Sequence, residues 1–115
     1  METILQRLTD LDDVIAVILV GKDGLIVTGT SNSEDEEMIG AMSAATFGSI
    51  TSFSAQVNFG QARHAIIEIQ NGTIQLEEVG DLILVVTTHP NSNLGRVRFE
   101  MKKAGRQIIQ LVASY

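Results

Sequence analysis

Two histidines, a lysine set between glycines and a scatter of serines are the side chains of this sequence with types suited to chemistry. His64 and His89 are the candidates for metal ligation or general base work, yet each stands without a second His, a Cys or paired carboxylates at ligand spacing. A metal site and an acid–base pair both need such neighbours. His64 is instead expected to face an edge or an interface. Gly21-Lys22-Asp23-Gly24 departs from the G-x-x-x-x-G-K-[ST] phosphate loop and leads into a strand. With no helix N-terminus behind it, such a loop aims no row of N–H groups at a phosphate, and it reads as a hairpin turn. Ser43, Ser49, Ser52 and Ser54 lie outside any G-x-S-x-G elbow and read as small residues tolerated on a helix. The absence of cysteine excludes disulfides, thiolate ligands and a cysteine nucleophile. The expectation is a chain that binds without catalysing, with no catalytic, cofactor or metal residues.

The elements that would position these residues follow from hydrophobic period. Ile4, Leu5, Leu8 and Leu11 recur at helical spacing, predicting a short amphipathic helix over residues 2–11. Val14 to Val20 is apolar at every position and rich in β-branched residues, the pattern of a strand buried on both faces. After the glycine turn, Leu25–Thr28 returns as a shorter strand. Ser33, with Glu36 or Glu37 nearby, resembles the cap of a long helix from Asp35 to about Val57, whose acidic first turn suits the helix dipole. Ala65–Ile69 and Thr73–Leu76 alternate and are joined through Asn71-Gly72, a strong hairpin signal. Leu82–Thr88 is another apolar strand. A loop ending near Asn93 then opens a helix carrying Val97, Met101, Ala104, Ile108 and Leu111 at helical spacing. The order is α-β-β-α-β-β-β-α, with the first and fifth strands central and the second and third at the edges.

The long central helix carries two stripes. Ile39, Met42, Thr46, Ile50, Phe53 and Val57 form one, and Gly40, Ala44, Gly48 and Ala55 form a second made of small residues. The small stripe has two readings: packing on the chain's own sheet, or close approach to a second subunit, with one stripe for each. The width of an ordinary core-facing stripe favours the second reading.

At 115 residues and 44% apolar content, the chain fits one domain, 1–115, with a core of its own. Its net charge of −6 argues against a nucleic-acid partner, whose phosphates demand the opposite sign. The N-terminus lacks a signal-peptide pattern, and no apolar run is long enough to cross a bilayer. A soluble, cytoplasmic protein with no direct membrane insertion is expected. Charge is polarised, with Glu34-Asp35-Glu36-Glu37 and Glu77-Glu78 acidic and Arg96, Arg98, Lys102, Lys103 and Arg106 gathered in the last segment. These clusters read either as solvated helix faces or as steering for a charged protein partner.

The joint order of several segments resembles the roadblock / dynein light-chain family, in particular its free-standing bacterial and archaeal members. They are Leu8-x-x-Leu11 leading into Val14-Ile-Ala-Val-Ile-Leu-Val-Gly-Lys-Asp-Gly-Leu-Ile-Val, the small-residue helix, His64-Ala-Ile-Ile-Glu-Ile-Gln-Asn-Gly, Val79-Gly-Asp-Leu-Ile-Leu-Val-Val, and Asn93-Leu-Gly-x-Val-Arg-x-Glu. The resemblance implies an α/β (α+β) sandwich of profilin-like roadblock type. Its five-stranded antiparallel sheet would run in order 2-1-5-4-3, with the long helix on one face and two helices on the other. It also implies a homodimer built by pairing the second helices and third strands, here Gly40, Ala44, Gly48, Thr51 and Ala55 with His64, Ile66 and Glu68. Met38, Ala41, Ala45 and Ser52 are expected to contribute to partner binding. The implied partner is a small Ras-like GTPase, regulated or scaffolded without cofactors, and any stimulation of GTP hydrolysis would be indirect. A small sensory or ligand-binding domain, or a subunit of a larger signalling or motor assembly, is the alternative.

Overall fold

The computed structural model of the protein describes residues 1–30 and 35–114. Along the chain these form α1 (Glu2–Thr9), β1 (Val14–Gly21), β2 (Ile26–Gly29), α2 (Glu36–Gln56), β3 (His64–Ile69), β4 (Gly72–Val79), β5 (Leu82–Thr88) and α3 (Leu94–Ala113). The strands make one sheet in the order β2-β1-β5-β4-β3, and every pairing is antiparallel. The order expected from sequence is the order found.

The continuous apolar runs of β1 and β5 are explained by a sheet covered on both sides. Successive side chains of a strand point to opposite faces. Val17 and Leu19 of β1 therefore join Leu84, Val86, Leu5, Leu8, Met101 and Ile108 in a core beneath α1 and α3. Ile18 and Val20 join Ile83, Val85, Leu76, Ala44 and Phe47 in a second core beneath α2. Burial of each large aliphatic side chain stabilises the fold by about 1.5–3 kcal/mol.

Local chemistry sets the joints. The β1–β2 turn closes with Gly24 in the left-handed region (φ 89°), where any side chain would be strained. At the start of α3, the Asn93 side chain accepts a 3.0 Å hydrogen bond from the Arg96 amide, the expected cap. The cap expected at Ser33 lies outside the described residues.

Two boundaries differ from the sequence reading by more than one residue. α1 ends at Thr9, and Asp13 takes a left-handed backbone (φ 72°) to turn the chain into β1. β4 runs on through Glu77 and Glu78 to Val79, because Glu77 is accommodated inside the fold.

Candidate protein-interaction site

α2 is a 21-residue helix that presents two faces of different character. Its inner face is Gly40, Ser43, Ala44 and Phe47, all buried. A Cβ on Gly40 would stand 3.1 Å from Ile26 Cγ1 and 3.3 Å from Val20 Cγ2. The first half of the helix thus lies close on the β1–β2 hairpin, and small residues are what permit that approach. Its outer face carries Met38, Ala41, Met42, Ala45, Ser52 and Phe53, all exposed, with Met42 at 62% and Phe53 at 70%. On the flank of that face, midway along the helix, Gly48 has nothing within 4 Å of where its Cβ would be. No charged residue occurs between Glu37 and Arg63. Phe53, with Ala45, Gly48, Ser49, Ser52 and Gln56, lines an open depression on this surface.

The two stripes of α2 therefore split differently from the expectation. The first half of the small-residue stripe packs inward, while Met42, Phe53 and Val57 of the larger stripe face solvent. Gly40 and Ala44, expected in the dimer interface, are used inside the chain and have no side-chain surface to offer a second copy. Gly48 and Ala55 are exposed and Thr51 is half-buried. Met38, Ala41, Ala45 and Ser52, expected to bind a partner, all face outward.

β3 is an edge strand, hydrogen-bonded to β4 on one side and to no other strand among the described residues. Ile66 and Glu68 are exposed. His64 is not: its side chain is 4% exposed and points beneath α3. Antiparallel pairing sets His64 opposite Glu77, on the same face of the sheet. The imidazole Nε2 lies 2.7 Å from Gln75 Oε1, and Nδ1 lies 3.2 Å from Glu77 Oε1. Gln75 is fully buried and donates from Nε2 to the Leu94 carbonyl at 3.2 Å. That bond turns its Oε1 towards the histidine and so places a proton on His64 Nε2.

Lys102 of α3 closes the cluster, donating to both oxygens of Glu77 at 3.1 and 3.3 Å. Burial alone would raise the Glu77 pKa, but the hydrogen bonds and charges of His64 and Lys102 outweigh it and hold the carboxyl below its ordinary value. The cluster ties β3, β4 and α3 together and opens no room for a substrate at the imidazole. The expectation that His64 faces an edge is corrected on this point. Its backbone belongs to the edge, and its side chain to the interior.

His89 is exposed in the loop before α3, and its amide donates to the Asp13 carbonyl at 2.8 Å. Among the described residues no group of three or more His, Asp or Glu is arranged to hold a metal ion. No helix among them is long and apolar enough to cross a membrane.

The sequence pattern of the Roadblock/LC7 domain matches residues 1–88. The chain belongs to the Roadblock/LC7 domain family. Among sequence relatives, this Roadblock/LC7 chain is 33% identical to the uncharacterized protein MJ1340 of Methanocaldococcus jannaschii over 109 residues, 94% of this chain and 96% of the relative. Among solved structures, it is similar to a Roadblock/LC7 domain from Streptomyces avermitilis (TM-score 0.91, 14% identity, 98% of both chains). It is also similar to Myxococcus xanthus MglB (TM-score 0.90, 21% identity, 98% of this chain and 94% of that one). Acanthamoeba castellanii profilin IB aligns with a TM-score of 0.67 at 13% identity, covering 96% and 94% of the two chains, which makes the Roadblock/LC7 fold of this protein profilin-like.

Proposed function

We propose that this Roadblock/LC7 chain is a non-catalytic homodimeric regulator or scaffold acting in the cytoplasm on a small Ras-like GTPase. Two copies would associate through the outer face of α2 and the free edge of β3. One observation carries the reading: α2 holds a charge-free face to solvent, with Met38, Met42 and Phe53 exposed and the bare Gly48 on its flank. Large apolar side chains exposed together on a small protein, with only small or uncharged polar residues between them, mark an interaction site. Gly48 lets a second helix approach closely there, and Ile66 and Glu68 on the open edge can extend the sheet into a second copy. The GTPase partner follows from the family resemblance of the sequence and is supported by the likeness of fold to MglB. No arginine lies on the outer face of α2 to reach into a partner's active site. Any acceleration of GTP hydrolysis would then work by ordering the partner's own groups.

Sedimentation velocity tests the assembly. The native chain is expected at twice its mass and Gly48→Leu as a monomer; an unchanged mass for the variant would count against the α2 interface. Pull-down with purified chain from its source cell is expected to recover a P-loop GTPase. Repeated failure in both nucleotide states would defeat the GTPase reading.

A further inference from the structure

The face of the sheet opposite α2 is covered by α1 and α3, and the positive charge of the chain is gathered there. Five of the eight basic side chains belong to α3. On its exposed side, Phe99, Lys103 and Arg106 fall at i, i+4 and i+7 along one line of the helix. Phe99 is 63% exposed, an aromatic ring that neither core uses. Beside this line, between α3 and the strands β3 and β4, runs a groove of about 230 Å³ walled by Arg63, Lys102, Arg106 and Ile109. Gly105 lies at its floor, where a Cβ would stand 3.2 Å from Val79 Cγ2, a tight contact, so the helix rests close on β4.

The carboxylates bordering the groove are already engaged. Glu77 is held by Lys102 and His64, and Glu78 pairs with Lys22 at 3.0 Å. Arg63, Arg98, Lys103 and Arg106, by contrast, have no carboxylate at ion-pair distance among the described residues. An unneutralised cationic strip beside exposed apolar side chains, on a chain of net charge −6, is complementary to an anionic partner with apolar side chains of its own. A bilayer fits it poorly. Asp10, Asp12 and Asp13 gather around Arg96 at the start of α3, where an anionic surface would be repelled.

We propose that the groove between α3 and β4 is a docking site for an acidic segment of a partner protein, with carboxylates on Arg63 and Arg106 and apolar side chains on Ile109 and Phe99. This site lies across the sheet from the α2 face, while its Arg63 wall adjoins the β3 edge, so the sedimenting mass is read alongside binding to separate the two.

The test is fluorescence anisotropy with a short fluorescein-labelled peptide of glutamates around a single leucine, titrated with the full chain. Saturable binding is expected, weakened by added salt and weakened about tenfold by Arg106→Glu. The milder Arg106→Gln should act in the same direction. Arg7→Glu, the same charge change at an exposed position on α1, should leave affinity unchanged. The proposal is overturned if the native chain shows no saturable binding, if Arg7→Glu weakens it equally, or if the glutamine version of the peptide binds as well. It is also overturned if Arg106→Glu instead abolishes binding to phosphatidylserine vesicles, or halves the sedimenting mass, outcomes that would assign the groove to a bilayer or to a second copy.

Discussion

Glu77 sits within β4 with only 5% of its surface exposed, a position that would drive an unpaired carboxyl to its neutral form. His64 and Lys102 reverse that tendency, and the sign of the consequence is definite. A carboxyl whose folded-state pKa lies below its unfolded value of about 4.5 contributes stability that is complete above that value and drains away as pH falls through the folded one. Urea-unfolding midpoints of the native chain should therefore decline below pH 4.5, and Glu77→Gln should flatten that decline. Equal slopes for the two proteins would refute the linkage. Lys102→Met removes the cation and leaves the carboxylate under α3, with an expected loss of about 1 kcal/mol at neutral pH, modest because the lysine side chain is 38% exposed. Neither partner advertised itself in the sequence. Glu77-Glu78 read as a solvated acidic pair, because two adjacent glutamates seldom lie in a buried strand. The Asn71-Gly72 dipeptide misplaces the register by two residues: counting outward from it sets His64 opposite Val79, whereas the turn is Gln70-Asn71, Ile69 pairs with Gly72 and His64 faces Glu77. An edge histidine facing a glutamate across a covered sheet implies a third group above them.

At the scale of the element, α2 shows where periodicity runs out. Both of its stripes are apolar enough to pack on a sheet, so composition did not decide which one turned inward. The decision lies in distances: Gly40 sits where a side chain would meet Ile26 and Val20, whereas Gly48 faces open space. Two substitutions of the same kind should then behave oppositely. Gly40→Leu overpacks the second core and should lower stability by about 1–3 kcal/mol. Gly48→Leu should leave the fold intact and add up to about 1 kcal/mol through better helix propensity. Urea unfolding at a concentration too low for self-association separates the two, because the association lost in Gly48→Leu does not enter there, and a destabilised Gly48→Leu under that condition would show that its side chain clashes within the chain. At α3, Asn93→Ala removes the capping oxygen from the Arg96 amide and should reduce stability by about 1 kcal/mol, seen as a few degrees in Tm. That cap was legible because Asn directly before an amphipathic run has few other uses. The double-sided burial of β1 and β5 was legible for a similar reason, since only a strand covered on both faces is apolar throughout.

For the molecule as a whole, the sheet separates two surfaces of unlike chemistry, the charge-free outer face of α2 beyond its first turn on one side and the cationic α3 on the other. Changes made on opposite sides share no contacts and should combine additively. Gly48→Leu should accordingly leave affinity for the glutamate-rich peptide as it is in the native chain. The net charge in the sequence concealed this arrangement, because a sum of −6 says nothing of where the cations gather. The free edge of β3 has a further consequence. Its six residues, His64–Ile69, include three isoleucines and a single exposed glutamate, and their outer backbone groups are unpaired. A bare edge of that composition is a template for cross-strand stacking into aggregates. If a second copy is what normally covers it, pairing acts as the chain's own protection against insolubility. Dilution or a severed interface would then yield a monomer that turns turbid only on long standing at high concentration, and Glu68 would stand as the residue that slows that growth.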